Sequence, residues 1–149
     1  MTFKINIGTK SGKTYKLEVE NSELTGKTIG DKISGKELGN KDFDGYEFEI
    51  MGASDKSGFA ALKDVDGFTL KKVLLNYGKG MHKRPKREGK KKQSNATPGG
   101  LRLRKTLHGK TISDKIVQIN LKLIKEGNKK LDEIFGSKET KETAEEKKE

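Results

Sequence analysis

The sequence contains no cysteine among its 149 residues. The chain can therefore form no disulfide, no thiolate site for zinc and no cysteine nucleophile, which fits a reducing compartment. Hydrophobic residues make up only 30% of the chain, whereas 37% of the residues are charged. Because so few residues are apolar, a compact core requires that long charged segments lie outside it.

Long hydrophobic runs are also missing. The first ten residues, MTFKINIGTK, alternate apolar and polar side chains and lack the unbroken apolar run of a signal peptide. No stretch approaches the length that a membrane-spanning helix needs. From these patterns we expect a soluble, intracellular protein without a membrane partner.

The positive charge is concentrated in one basic segment, residues 79–110. This segment contains twelve basic residues and one acidic residue, Glu88, so its net charge of +11 equals that of the whole chain. The totals of 33 basic and 22 acidic residues leave 21 of each outside the segment. Positive charge confined to one place is typical of a surface that binds a polyanion.

Several properties of the basic segment favour nucleic acid as its partner over a solvated loop or a nuclear-import signal. Arginine and lysine are mixed, glycines let the backbone approach a phosphate, and we expect core strands to anchor both ends. The segment has no aromatic residue to stack on bases, so contact with the sugar-phosphate backbone of folded RNA is favoured over reading of a base sequence. The candidate RNA-binding residues are Lys79, Lys83, Arg84, Lys86, Arg87, Lys90, Lys91, Lys92, Arg102, Arg104 and Lys105.

Alternation of apolar residues with period two predicts several β-strands. The first two runs, at residues 3–7 and 15–19, are joined by a short turn and indicate a β-hairpin. Further strands are predicted over residues 46–50, 70–77 and 117–123, with one helical turn as the alternative for 70–77. After Gly127, Asn128 is expected to cap a short helix that buries Leu131, Ile134 and Phe135.

Short strands, eighteen glycines and only two prolines favour a mainly β fold, a small antiparallel β-barrel, over a helical bundle. A repeat, GKTIGDKI at residues 26–33 and GKTISDKI at 109–116, predicts two equivalent corners of a pseudo-symmetric barrel. In each corner the isoleucines would face inward and the Gly or Ser before Asp would permit a tight turn. Chance similarity in a chain rich in Lys and Gly is the alternative.

The expected organisation is a barrel domain over residues 1–127 that includes the basic loop 79–110. A short helix over residues 128–136 follows it. Residues 137–149 contain no large apolar side chain and are predicted to form a disordered charged tail.

No catalytic or metal site is predicted. Residues 8–14, GTKSGKT, resemble a phosphate-binding loop, but only three residues separate the glycines and a predicted strand follows them instead of a helix. The two histidines, His82 and His108, are too few for a metal site and are expected to face solvent or RNA. We therefore expect no enzyme activity, no cofactor and no small-molecule substrate.

Three blocks of the sequence resemble the archaeal and eukaryotic ribosomal protein six family of the small subunit, in its short archaeal form. MGASDKSGF at residues 51–59 is similar to the family turn G-G-[SN]-D-K-x-G-F-P-M. The run RPKR at 84–87 is similar to R-P-[RK]-[RK], and GKTISDKIVQINLKL at 109–123 is similar to R-G-N-T-I-S-x-x-I-V-Q-I-N-L-K. With the N-terminal strands, the resemblance covers residues 1–127.

The resemblance implies a structural constituent of the small ribosomal subunit that binds ribosomal RNA next to neighbouring ribosomal proteins. A non-ribosomal RNA- or DNA-binding accessory protein is the alternative. Three departures from the family are Ala53 in place of a glycine, Ala60-Ala61 in place of Pro-Met, and an extra stretch at residues 94–101. The resemblance carries RNA contact to Arg84, Lys86, Arg87, Lys90, Lys91, Lys92, Arg104 and Lys105.

Overall fold

The computed structural model describes residues 2–20, 23–82, 87–93, 97, 99–127 and 129–135. Two 3-10 helices, Gly35–Leu38 and Lys41–Phe43, and one short α-helix, α1 at residues 131–135, accompany the strands. The protein is therefore mainly β with a short helix near the C-terminus, as predicted. The strands are β1 (Thr2–Gly8), β2 (Thr14–Glu20), β3 (Lys32–Ser34), β4 (Glu47–Asp55), β5 (Leu70–Asn76), β6 (Arg87–Glu88), β7 (Lys91–Lys92), β8 (Arg102–His108) and β9 (Ile116–Lys125).

Five strands form one sheet in the order β2–β1–β9–β4–β3. The predicted hairpin of β1 and β2 is confirmed by an unbroken antiparallel ladder. However, β1 pairs with β9 in parallel, so the sheet differs from the purely antiparallel arrangement that the sequence suggested. Parallel strands require a long crossover connection, and the whole chain between β1 and β9 provides it.

The long ladder between β4 and β9 curls this sheet. Its register shifts at three points between Glu47 and Asp55, and such bulges bend a strand and increase its twist. Within the described residues no ladder joins the edge strands β2 and β3. The sheet is therefore a curled half-barrel.

The core fills the inside of this curl. Phe135 at the end of α1 stacks on Tyr15 of β2, with ring centroids 4.9 Å apart, and Leu131 and Ile134 are buried, so α1 covers the core as predicted. In β9 the first buried side chain is Ile116, whereas Val117 is only half-buried. The buried apolar residues of the long strands are Phe3, Ile5, Ile7, Leu17, Val19, Phe48, Ile50, Ile119, Leu121 and Leu123.

The two copies of the repeated sequence pair with each other. Thr28 and Thr111 form an antiparallel bridge. The Gly26 amide donates to the Ile112 carbonyl at 2.9 Å, and the Ile112 amide donates to the Lys27 carbonyl at 2.8 Å. The four isoleucines of the repeats are buried, as predicted: Ile29, Ile33, Ile112 and Ile116.

The two corners differ at the residue before Asp. Gly30 has a φ of 102°, whereas none of the described non-glycine residues, Ser113 among them, has a positive φ. The prediction of equivalent corners is therefore wrong at this position. Only glycine adopts the Gly30 conformation without strain, which explains why the two repeats differ there in sequence.

Exchanging these two residues one at a time tests the difference. Gly30→Ser makes the repeats identical in sequence, yet we expect it to destabilise the protein by about 1–3 kcal/mol because serine would be strained at this φ. The neighbouring Lys63 side chain, 3.2 Å from a built Cβ, is flexible and can move, so backbone strain dominates. Ser113→Gly is the matched control and should cost less than about 1 kcal/mol. Urea unfolding measures both, and equal losses would contradict the assignment.

Two predictions for the C-terminal part lie outside the described residues: the cap at Asn128 and the charged tail over 137–149.

In the part of the chain that is described, no helix is both long enough and apolar enough to cross a membrane.

Candidate nucleic-acid interface

The basic segment contributes three described strands, β6, β7 and β8, and β8 forms a hairpin with a strand that precedes the segment. The strand β8, which the sequence pattern did not predict, lies inside the segment and pairs with β5 from Leu70–His108 to Asn76–Arg102. We refer to residues 70–108 as the basic arm. The predicted strand at β5 is confirmed, but its side chains are exposed or half-buried. The expectation that two core strands anchor the basic segment is therefore wrong at this end.

One side of the β5–β8 hairpin, its inner face, carries most of the half-buried and buried side chains. Val73 is opposite Lys105, and Leu75 is opposite Leu103; all four side chains are half-buried. Leu107, on the same face, is buried. The half-buried position of Lys105 makes it a less accessible contact for a polyanion than the sequence suggested.

The other side, the outer face, carries exposed cations. Residues that lie opposite each other in an antiparallel ladder share one face, so Arg104 lies beside Leu74, and Lys72 lies beside Thr106. Arg104, Arg102 and Lys72 are exposed. Arg104 and the adjacent Lys105, both candidates for RNA contact, therefore face opposite sides of the hairpin.

The small hairpin of β6 and β7 brings three consecutive lysines into solvent. Gly89 occupies its turn with a φ of 54°, and Lys90, Lys91 and Lys92 are all exposed. Glu88 lies opposite Lys91 in the register and accepts a hydrogen bond from Gln93. None of the three lysines belongs to an ion pair between described residues. Their charges are available to an external partner.

The remaining candidates are only partly described. Lys79 is exposed in the turn that follows β5. Lys83, Arg84 and Lys86 lie outside the described residues, and of Arg87 only the backbone is described. RNA contact by these residues stays a prediction.

Lys110, the last residue of the basic segment, is engaged within the protein. Its Nζ lies 2.6 Å from Oδ1 of Asp66. The hydrogen bond and charge of Asp66 raise the pKa of Lys110, and Lys110 in turn lowers the pKa of Asp66. Both groups are therefore charged at neutral pH, and this pair offers no net charge to a partner.

The segment that resembles a phosphate-binding loop is the turn of the β1–β2 hairpin, as predicted. The Thr9 amide donates to the Lys13 carbonyl at 3.0 Å. Lys13 Nζ donates to both carboxylate oxygens of Asp132 in α1 at 2.9 Å, and the Tyr15 hydroxyl donates to the same carboxylate. Hydrogen bonds from Tyr15 and Lys13 lower the pKa of Asp132. Lys13 thus anchors α1.

The two histidines have different surroundings. His82 is exposed, as predicted, with its ring 5.5 Å from that of Tyr77 in an edge-to-face arrangement. His108 is fully buried, so the expectation that it faces solvent or RNA is wrong. Its backbone is paired with the segment before β5: the His108 amide donates to the Ala60 carbonyl, and the His108 carbonyl accepts from the Leu62 amide. Within the described ranges, no three His, Asp or Glu side chains cluster as metal ligands.

Sequence reasoning missed Lys72. It lies outside the basic segment, but the β5–β8 register places it diagonally across from Arg104 on the outer face. The alternation in residues 70–77 could have revealed its face, but not its neighbours on β8. Pairing two strands decides those neighbours.

These features define the class: a small, mainly β protein with one positively charged arm on an electrically balanced body, an arrangement typical of proteins that associate with folded RNA. Comparison with known families makes the assignment specific. The family model described as Ribosomal protein S6e matches residues 3–136. The chain belongs to the ribosomal protein S6e family, which confirms the resemblance found in the sequence.

Three archaeal relatives are each described as Small ribosomal subunit protein eS6. The protein of Methanococcus maripaludis strain C6 is 41% identical over 128 residues, which cover 85% of this chain and 90% of the relative. That of Methanocaldococcus jannaschii is 37% identical over 127 residues, 85% of each chain. That of Methanothermobacter thermautotrophicus strain Delta H is 39% identical over 142 residues, 93% of this chain and 99% of the relative. The family is structural and non-enzymatic, which confirms the prediction of no enzyme activity.

Proposed function

We propose that this chain is a structural constituent of the small ribosomal subunit in the cytoplasm and that its basic arm binds ribosomal RNA. Family membership and the description shared by the relatives support the first part. The charge distribution supports RNA binding by the basic arm, because the basic segment holds the entire net charge of +11 while the rest of the chain is balanced.

The mechanism is neutralisation of RNA phosphates. Lys90, Lys91 and Lys92 form the best-described part of the contact, since all three are exposed on one small hairpin. Each phosphate contact releases condensed counterions and steepens the logarithmic salt dependence of binding by about 0.7 to 0.9. An array of such contacts makes the affinity high at low salt without reading a base sequence.

The proposed RNA contacts extend from this hairpin along the rest of the basic arm. Lys105 is the weakest member because it is half-buried on the inner face. Arg102 was predicted as an RNA contact from its charge, and Arg104 also from the family resemblance, but both lie on the outer face beside apolar side chains that RNA would leave exposed. The proposed RNA-binding residues are Lys79, Lys83, Arg84, Lys86, Arg87, Lys90, Lys91, Lys92 and Lys105.

The body of the protein holds this arm in place. We propose that residues 1–127 fold as one unit and that the two repeats complete the curled sheet as a pseudo-symmetric barrel. The antiparallel bridge between Thr28 and Thr111 and the burial of all four repeat isoleucines support this arrangement. A rigid body would lower the entropy cost of ordering the arm on RNA.

Sedimentation of a cell extract tests the proposed function. The tagged chain should travel with small subunits after ribosomes are dissociated by magnesium removal, and raising the salt concentration should release it because its contacts are electrostatic. A chain that remains at the top of the gradient at low salt would instead support the alternative of a free RNA- or DNA-binding accessory protein. A large-subunit protein followed in the same gradient is the control for complete dissociation.

A further inference from the structure

Exposed apolar side chains cluster at the base of the basic arm. Five large hydrophobic residues are exposed among those described, and four of them lie within ten consecutive residues: Phe68, Leu70, Leu74 and Tyr77. Phe68 is 62% exposed and Leu74 is 53% exposed. Single exposed apolar residues are common, but several within so short a stretch of a small protein indicate a contact surface.

Two of these residues lie on the outer face of the β5–β8 hairpin. Leu70 and Leu74 are separated by four positions along β5, so their side chains point to the same side, and Leu74 is directly opposite Arg104. Phe68 lies two residues before the start of β5. Leu70 and Leu74 therefore share the outer face with the cations Lys72, Arg102 and Arg104.

No acidic residue of the hairpin balances these cations. Neither β5 nor β8 contains Asp or Glu. Lys72, Arg102 and Arg104 take part in no ion pair between described residues. The outer face thus presents apolar groups interleaved with three uncompensated positive charges.

The hairpin is also structurally incomplete on this side. β5 and β8 form a two-stranded sheet, and such sheets are only marginally stable unless another element packs on them. The inner face has this support, since Leu62, from the segment before the arm, lies with Leu75 and Leu107 around Gly80. On the outer face His108, opposite Leu70, is fully buried, whereas Lys72, Leu74 and Arg104 farther along the hairpin are exposed.

We propose that the outer face of the basic arm binds a segment of another protein in which apolar side chains are flanked by carboxylates. This inference rests on the proposed function, because the partner would be a neighbour in the same particle. RNA would satisfy the three cations but would offer few apolar groups to Leu70 and Leu74. Protein interfaces combine apolar centres with arginine, and carboxylates pair with arginine in bidentate geometry. The arm would therefore bind RNA through its lysine-rich hairpin and protein through its base.

Site-specific photo-cross-linking in cells tests this inference. The photoreactive amino acid p-benzoylphenylalanine replaces Phe68 in the full chain, and a second, otherwise identical strain carries it at Lys91. After irradiation and purification, nuclease and protease digestion distinguish RNA adducts from peptide adducts. At position 68 we expect a peptide adduct that contains apolar residues together with Asp or Glu. An RNA adduct, a peptide without carboxylates or no adduct at position 68 would overturn the inference.

The two positions separate failure of this inference from failure of the proposed function. An RNA adduct is expected at position 91, and its absence would count against RNA binding by the arm whatever position 68 shows. The double substitution Leu70→Ser/Leu74→Ser, made in the position-68 strain, tests the surface itself. If the partner buries both leucines, each substitution should reduce the adduct yield by about tenfold. Met51→Ser, at an exposed apolar residue of β4, is the matched control and should leave the yield unchanged. Circular dichroism of each variant verifies folding, and an unchanged yield in the folded double variant would contradict the inference.

Discussion

Replacement of Lys90, Lys91 and Lys92 together by alanine is expected to reduce the salt dependence of ribosomal RNA binding by about 2 to 3 in logarithmic slope. The three side chains are exposed on one small hairpin and have no ion pair within the described residues, so each can contact a phosphate. At low salt the loss of three contacts should weaken binding by about tenfold to a thousandfold, because the electrostatic share of the affinity is largest there. A filter-binding series from low to moderate salt measures both quantities.

A charge-matched variant gives the control for this experiment. Lys10, Lys16 and Lys32 are also exposed and lie outside the basic arm, so their joint replacement by alanine removes the same charge. We expect this control to change the logarithmic slope by less than about 0.7, which is the contribution of one phosphate contact. Equal slopes for the two triple variants would mean that net charge, and not the arm, determines binding. Unfolding curves of both variants should match the wild type, since exposed substitutions alter stability little.

The largest effect on stability is expected for Gly35→Ala. Gly35 begins the first 3-10 helix and is buried, and a Cβ built on it would lie 1.8 Å from the carbonyl oxygen of Phe43. The obstacle is backbone and cannot rotate away, so the two 3-10 helices would have to separate. We expect a loss of about 3 kcal/mol or more and a fall in Tm of about 10 °C. Thermal unfolding followed by circular dichroism measures this change.

Gly52→Ala is the control for a glycine that tolerates a side chain. Gly52 lies in β4, has no heavy atom within 4 Å of a built Cβ and does not have a positive φ. Alanine at this position should be neutral, or should stabilise the protein by up to about 1 kcal/mol, because it restricts the unfolded chain. Similar Tm values for the two variants would show that the close packing at Gly35 does not limit stability.

The long strands could be predicted because the side-chain period of a strand is visible in sequence. Phe3, Ile5 and Ile7 alternate with polar residues, and the same period occurs in β2, β4 and β9. The strand β8 was missed although Leu101, Leu103 and Leu107 are spaced by even numbers of residues. Its many basic side chains are typical of a loop, and only pairing with β5 makes it a strand.

The candidate site was only partly predictable for a related reason. Clustering of lysine and arginine is a property of the sequence, so the segment was identified by counting charges. Which face each side chain occupies depends on register. Arg104 and Lys105 are neighbours in sequence but lie on opposite sides of the hairpin, and Lys110 pairs with Asp66 from another loop.

The β class, the short helix, the position of the positive charge and the family can all be recognised in the sequence. Each of these depends on period, composition or a local motif, which a single chain displays without being folded. Tertiary structure alone decided the parallel pairing of β1 with β9, the burial of His108 and the separation of the hairpin into two faces. These features arise from contacts between residues far apart in the chain, where the energy of packing and backbone pairing outweighs local preference.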